Sequence, residues 1–389
     1  MKLYLRTFSI SFAALLVLSA LSSYWFDPFG YFRINGWRSS SLLGDRVWGS
    51  ARVRNALLLP VAEPETLVVG TSRVGFGIDV DDPAVKHHVG FGLNLGIPGA
   101  SFDEMDAYTR YAIGNHPPRT LLIGLDFGEF FTTYNNAPSF LQEVAGESSS
   151  YFSLLRRFSY VLWSKDAIRN TMRIAFEEHD SSQSGTFNRA VGLEYIRKRG
   201  LHGNVLATEA NMVSVWKQRS DWDSYSERLA SLDKLLNDAC NQGIDVRLFI
   251  SPYHVRQLLL LDSMDLWSHF LSWKRRVTQI IDGRDQSSCK LTLIDFSRIT
   301  LLTSESFSLA DKRQDSAEWF FESSHYKHAL GVKIVERLWG MESAPVDFGV
   351  ELNSETIEQE ILQMRNELKR YKEDHPEVAD ELRKLAERY

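Results

Sequence analysis

Leu67-Val68-Val69-Gly70-Thr71-Ser72-Arg73 decides how the rest of the chain is read. Thr66 to Val69 are β-branched or apolar and form a short buried strand. Gly70 and Thr71 then turn the backbone and present Ser72 at the strand's carboxyl end, where open α/β sheets bind their ligands. A serine placed there is a nucleophile if a base reaches it. The alternative is a hydroxyl that caps the start of a helix. The best base lies far away in sequence, in Glu322-Ser323-Ser324-His325.

Outward from this stretch, strands and helices alternate. Gly92 to Leu95 is a second strand that ends in the turn Gly96-Ile97-Pro98-Gly99-Ala100, and Ser101 with Glu104 makes a capping box for the next helix. Val74-Gly75-Phe76-Gly77 allows close backbone approach to a ligand. Thr120 to Glu129 is a third strand. Tyr225, Leu229, Leu232, Leu235, Leu236 and Ala239 fall at helical spacing before a fourth strand, Ile244 to Ile250, and Ser251-Pro252-Tyr253-His254. Trp267, Phe270, Trp273 and Val277 share one face of a further helix, Leu291 to Phe296 is a fifth strand, and Ala329 to Trp339 is the closing helix of the domain. The pattern implies an α/β fold, a three-layer parallel sheet of about five strands, at residues 63–345. Residues 130–205 or so interrupt the alternation as a helical insertion rich in aromatic and basic residues, read as a lid or substrate platform, or as a packing appendage. His254 is a substrate-contacting or auxiliary histidine, or a structural one; the two readings have equal standing from sequence. His87-His88 reads as a solvated loop, with nothing near it to complete a metal site.

The chain has 389 residues, 44% of them hydrophobic, and a formal net charge of -6. That suffices for one large domain with an insertion or for two domains. The weakly acidic balance gives no electrostatic reason to bind nucleic acid. Lys2 and Arg6 precede an apolar run to Phe26, closed by Tyr24-Trp25-Phe26. About 20 such residues cross a bilayer as a helix. Residues 1–26 therefore read as an uncleaved signal anchor, with a cleaved secretory signal as the alternative. The positive flank places residues 1–6 in the cytoplasm and the domain outside it. Residues 27–62 are an entry segment that packs through its aromatics. Residues 346–389 are a charged helical tail whose Ile357, Ile361, Met364 and Leu368 stripe docks on its own domain or, as the lesser reading, on a partner. The two cysteines, Cys240 and Cys289, lack metal-type spacing. One ends a helix and the other lies in a polar loop, so they read as small buried residues rather than as a disulfide.

Gly70-Thr71-Ser72-Arg73 near the start and Glu322-Ser323-Ser324-His325 near the end resemble the first and last blocks of the SGNH hydrolase superfamily. With the N-terminal anchor, Asp27-Pro28-Phe29-Gly30, Ser251-Pro252-Tyr253-His254 and Trp319-Phe320-Phe321-Glu322-Ser323-Ser324-His325-Tyr326, followed by Ala329-Leu330-Gly331, the chain resembles membrane-anchored periplasmic SGNH-like proteins of exopolysaccharide O-acetylation over most of residues 20–350. The resemblance implies an SGNH/flavodoxin-like fold and a catalytic set of Ser72, His325 and Glu322, with Glu322 in the place of the usual Asp. It implies Gly99 as a backbone donor to the oxyanion, and Asp126, His254 and Arg73 beside the oxyanion or substrate. Most SGNH enzymes carry an Asn donor after the third strand. Here Leu125-Asp126-Phe127-Gly128 stands in its place, and an ionised Asp cannot donate. Asp126 therefore orients a substrate hydroxyl or holds the Ser72 turn together by backbone bonds. The implied activity is acyl transfer or ester hydrolysis on a cell-envelope glycan. The implied partners are a polysaccharide or other acyl acceptor and a membrane-bound O-acyltransferase as donor, with no metal or organic cofactor and no nucleic acid. A non-catalytic scaffold and a plain periplasmic esterase are the alternatives.

Overall fold

The computed structural model describes residues 1–32, 51–131, 151–176, 187–219, 222, 225–284, 290–307, 317–341 and 345–388, with the backbone alone at 187–199. Parts of the insertion, at 132–150 and 177–186, and Cys289 lie outside these residues. In chain order the elements are α1 (Lys2–Phe26), α2 (Ala51–Leu58), β1 (Thr66–Val69), α3 (Ser72–Gly77), α4 (Pro83–Val89), β2 (Gly92–Asn94), α5 (Phe102–Asn115) and β3 (Thr120–Leu125). A 3-10 turn (Phe127–Phe131), α6 (Tyr151–Trp163), α7 (Lys165–Phe176), α8 (Phe187–Lys217), α9 (Ser226–Asn241), β4 (Asp245–Ile250), α10 (Val255–Ser263), α11 (Trp267–Asp282) and β5 (Leu291–Asp295) follow. The chain ends with α12 (His328–Leu338), β6 (Val350–Glu351), α13 (Ile357–Asp374) and α14 (Pro376–Arg388).

The strands form one sheet in the order β2-β1-β3-β4-β5-β6. The first five are parallel and β6 is antiparallel to β5. The sheet is thus mixed rather than all parallel. Val350-Glu351 is too short to carry a periodic signal, and the chain enters it through Gly349 at φ 90. Alternate side chains of each strand feed two apolar cores. Leu67, Leu121, Ile123, Val246, Leu248 and Leu293 pack with α5, α9 and α11 on one face. Val68, Leu122 and Phe249 pack with α3, α4 and α12 on the other. This two-sided burial explains why the strands read as continuous apolar runs. The order also places β1 beside β3 while β2 lies on the far side of β1, so the crevice at the carboxyl ends of β1 and β3 is a topological switch point.

α1 is long and apolar enough to cross a membrane, and its most apolar window is not buried by the rest of the chain. The entry segment packs, with Phe29 and Tyr31 buried and Ala56 and Leu57 of α2 in the core. The insertion divides. α6 and α7 pair with each other and with α1, whereas α8 kinks at Gly200 (φ 67) and packs against α3. The tail breaks into two helices at His375-Pro376, and its Ile357, Ile361, Met364 and Leu368 stripe is buried on its own domain. His87 and His88 sit in α4 rather than in a loop, with His88 against Trp339.

One reading is overturned. Cys240 is disulfide-bonded, and the chain has a single other cysteine, Cys289. Nothing in the sequence hints at it, because the two cysteines stand in separate segments with no shared motif. A disulfide belongs to an oxidising compartment.

Candidate active site

The β1–α3 turn positions Ser72 by giving the capping task to its neighbour. Thr71 is the N-cap: its hydroxyl accepts from the Arg73 N–H at 3.3 Å and donates to Asp126 Oδ2 at 2.5 Å. Ser72 is the first residue of α3, so its own hydroxyl is not spent on the helix. Gly70 is required here, because a Cβ would stand 2.2 Å from Val74 Cγ2 and 3.3 Å from the Gly124 carbonyl oxygen. The turn therefore folds back tightly over β3.

His325 reaches the serine from a short hairpin at the other end of the chain. Phe320 and Tyr326 form an antiparallel bridge, and the Phe321 N–H donates to the His325 carbonyl at 2.8 Å. Glu322, fully buried, folds back under this turn. Its carboxylate accepts from the Ser324 N–H at 2.6 Å, from the His325 N–H at 3.2 Å, and from His325 Nδ1. The extra methylene of Glu relative to Asp is thus accommodated by a turn in which one carboxylate satisfies two backbone donors and one ring nitrogen. With Nδ1 protonated toward Glu322, Nε2 is the acceptor, and it lies 2.8 Å from Ser72 Oγ. The edge of Phe76 rests against the imidazole, with centroids 4.9 Å apart. Ser72 is half-buried and the His325 side chain is 19% exposed, so the pair opens to solvent at the sheet edge. The three residues expected to act together meet in one chain of hydrogen bonds.

Arg73 and Asp126 serve the frame of this site. The Arg73 guanidinium is buried. It donates to Asp126 Oδ1 at 2.8 Å, to Gln257 Oε1 at 2.7 Å and to Ser324 Oγ at 3.3 Å, and it lies 4.1 Å above the Tyr253 ring. Burial opposes its charge, but Asp126 and Tyr253 more than offset this and raise its pKa. One side chain therefore ties the nucleophile turn, the end of β3, α10 and the His325 hairpin together. Of the two roles open to Asp126, the structure has the structural one, achieved through side chains rather than backbone. Arg73, expected beside the substrate, is sealed behind Ser72. Gln257 and Glu305 are missed by sequence reasoning. Glu305 accepts from the N–H groups of Glu318, Trp319 and Phe320 at 2.6–2.9 Å and so anchors the hairpin. Neither residue stands in a motif, and their partners are distant in sequence.

Gly99 is exposed at φ 61, two residues after Ile97, which bridges Thr71. The left-handed backbone there favours glycine. Arg52 holds this turn, donating to the Pro98 carbonyl at 3.2 Å while its Nε meets Glu104 at 2.6 Å, and the Ser101 hydroxyl accepts from the Glu104 N–H at 3.2 Å as the capping box anticipates. His254 takes the structural option. It caps α10, with Nδ1 accepting from the Arg256 N–H at 3.3 Å and Nε2 on the Glu305 carbonyl at 2.9 Å. The ring stacks on Phe307 at 4.1 Å, and burial holds its pKa down to about 3. Both nitrogens are taken by backbone, so the expected substrate contact is corrected to a helix cap. Gly77 likewise approaches its own chain rather than a ligand. A Cβ there would strike Tyr326, and one on Gly331 would stand 1.8 Å from the Gly77 carbonyl oxygen. This glycine-to-glycine contact seats α12, and with it the hairpin, against α3.

Glu129 follows β3, with 2% of its surface exposed. Burial, helped by the negative charge of Asp126, pushes its carboxyl well above the ordinary range. A raised folded-state pKa contributes stability that is complete below the unfolded value and is lost as pH rises toward the folded one. Glu129→Gln mimics the protonated form. Its unfolding midpoint should match wild type near pH 4 and exceed it increasingly toward pH 8, by up to about 1.4 kcal/mol per pH unit while only the unfolded carboxyl titrates. Thermal scans that run parallel across this range would contradict the assignment.

Among the described residues, no group of three His, Cys, Asp or Glu is placed to hold a metal ion. Comparisons with protein-family models, with curated proteins and with solved structures find no match to this chain.

Proposed function

We propose that this chain is an SGNH-like acyl-transfer protein that is held at the cell inner membrane by α1 and works on a cell-envelope glycan from the periplasmic side. The observation that carries the reading is the line from Glu322 through His325 to Ser72, with Nε2 2.8 Å from Oγ, at the switch point of the sheet. In this reading His325 Nε2 takes the hydroxyl proton as Ser72 Oγ attacks the carbonyl carbon of an acetyl ester. The tetrahedral intermediate collapses, the donor oxygen leaves with the proton from Nε2, and acetyl-Ser72 remains. A sugar hydroxyl, or water, then gives its proton to Nε2 and attacks the same carbonyl, releasing the acetylated acceptor and free Ser72. Glu322 keeps Nδ1 protonated and stabilises the imidazolium in both halves. The N–H of Ser72, first in its helix and so without an intrahelical partner, and that of Gly99 are the oxyanion donors. One such donor is worth about 3–4 kcal/mol.

The apolar α1 with Lys2 and Arg6 ahead of it and the disulfide at Cys240 support the anchor and the oxidising compartment. A membrane-bound O-acyltransferase as donor and a polysaccharide as acceptor follow from the resemblance of the Ser72 and His325 blocks. A non-catalytic, glycan-binding scaffold is the second reading. The observation that favours it is Asp126, whose carboxylate is committed to Thr71 and Arg73 where an Asn donor would stand.

The two readings separate on the full-length protein in detergent, assayed with a chromogenic acetate. The acyl-transfer reading expects saturable turnover that His325→Ala reduces about as much as loss of the serine does, because members of one catalytic unit are not additive. Glu322→Ala should cost less, since Glu322 acts only through His325. Equal rates in wild type and His325→Ala would leave the scaffold.

A further inference from the structure

α6 and α7 leave an unusual surface. On α6, Phe152 is 79% exposed and Leu155 is 47% exposed; on α7, Ile168, Met172 and Phe176 fall at i, i+4, i+8 and are all exposed. Such a stripe on a water-facing helix is costly at about 25 cal/mol per Å² of apolar area. The same two helices expose Arg156, Lys165, Arg169 and Arg173, while Arg157 is buried, against the single acid Asp166, which pairs with Arg169 at 2.6 Å, in a chain whose net charge is negative. An apolar stripe flanked by Lys and Arg is the composition of a helix that lies in a membrane interface.

Position decides the occupant. α6 and α7 pack along α1 rather than over the sheet. Trp163, at the tip of the pair, donates from Nε1 to the Leu16 carbonyl at 3.0 Å, and Thr171 meets Ser23 at 3.5 Å. At the other end Phe158 packs against Tyr31 and Phe32, just past the end of α1. Ser22-Ser23 breaks the apolar run of α1 just before its closing Tyr24-Trp25-Phe26, and Leu16 lies about 9 Å before that pair at 1.5 Å per residue. Interfacial helices sit about 5–10 Å into the boundary between headgroups and acyl chains. A membrane crossed by α1 therefore reaches the tip of the pair at that depth.

We infer that α6 and α7 form a second membrane contact, a helical pair seated in the headgroup region of an anionic lipid leaflet beside α1. The tip of the pair meets acyl chains, and the apolar stripe and the exposed basic residues meet the headgroup region and its phosphates, so the domain is held at two points and cannot swivel about the anchor. The inference rests on the membrane-spanning reading of α1.

The test uses the full-length protein in bilayer discs containing phosphatidylglycerol, with one nitroxide-labelled cysteine at a time at Leu155, Met172, Leu18 of α1, or Leu362 of α13. The native Cys240 is disulfide-bonded and does not compete for label. Labels at 155, 172 and 18 should be reached readily by oxygen and poorly by a water-soluble nickel chelate, and the label at 362 should show the reverse. In discs of phosphatidylcholine alone, the contrast at 155 and 172 should shrink while that at 18 persists. Nickel accessibility at 155 and 172 equal to that at 362, with 18 still in lipid, overturns the inference and spares the anchor. Protection of 155 and 172 from both reagents overturns it in favour of a protein partner. Nickel access at 18 overturns the anchor itself.

Discussion

Ser72→Ala should abolish acetyl-ester turnover, a loss on the order of 10⁴-fold or more in kcat. Among the described residues, the neighbouring Thr71 hydroxyl is bonded to Asp126 and the Ser324 hydroxyl accepts from Arg73. Arg73 and Asp126 are paired with each other, and both nitrogens of His254 are held by backbone. His325 would still hold a water, so a residual rate from the backbone donors and from binding remains. The variant should fold as wild type does, because the Thr71 side chain, not that of Ser72, caps α3. A Ser72→Ala/His325→Ala double variant should be no slower than either single one. A double variant slower by the product of the two single effects would mean that the residues act independently, contrary to the 2.8 Å contact.

The largest effect on stability should come from Asp295→Ala. Asp295 ends β5 with no exposed surface, and it holds the Lys274 ammonium, itself wholly buried. The carboxylate also accepts from the Ser297 N–H at 2.9 Å and from the Ser297 hydroxyl at 2.7 Å, and Lys274 Nζ touches Met364 of the tail at 2.8 Å. Removing one partner leaves an uncompensated charge in an apolar interior, which costs about 3–5 kcal/mol. The tail helix α13 rests on the same spot through Met364, so it should loosen as well. Lys274→Met combined with Asp295→Asn removes both charges and keeps the acceptor for Ser297. That double variant should recover most of the loss. Unfolding followed by the tryptophan signal measures both, and a single variant as stable as wild type would contradict this account of the buried pair.

Much of this arrangement is legible in the residues themselves. Five strands and the helices that cover them follow from apolar runs and their spacing, and the Ser72 block stands out because it closes β1 at the carboxyl edge. Other features depend on contacts between distant segments. The Arg73 frame needs Gln257 and Ser324, both roughly 180 or more residues away, and no local pattern marks Gln257 or ties Ser324 to Arg73. Asp126 offers the same carboxylate to a substrate or to an arginine, and only the fold shows which one is present. His254 looks like a strand-end ligand until Glu305 and Phe307 close over it. The disulfide at Cys240 joins segments that share no local pattern, and β6 is two residues long. Gly77 reads as freedom for a ligand, whereas it makes room for Tyr326 of the hairpin and is itself the neighbour that Gly331 of α12 makes room for.

The most direct test of the central claim is covalent capture of the nucleophile. Full-length protein treated with a fluorophosphonate and mapped by peptide mass spectrometry should carry one adduct, on Ser72, and His325→Ala should carry almost none. An adduct-free wild-type protein, or modification equal in both proteins, would contradict a Ser72 activated by His325.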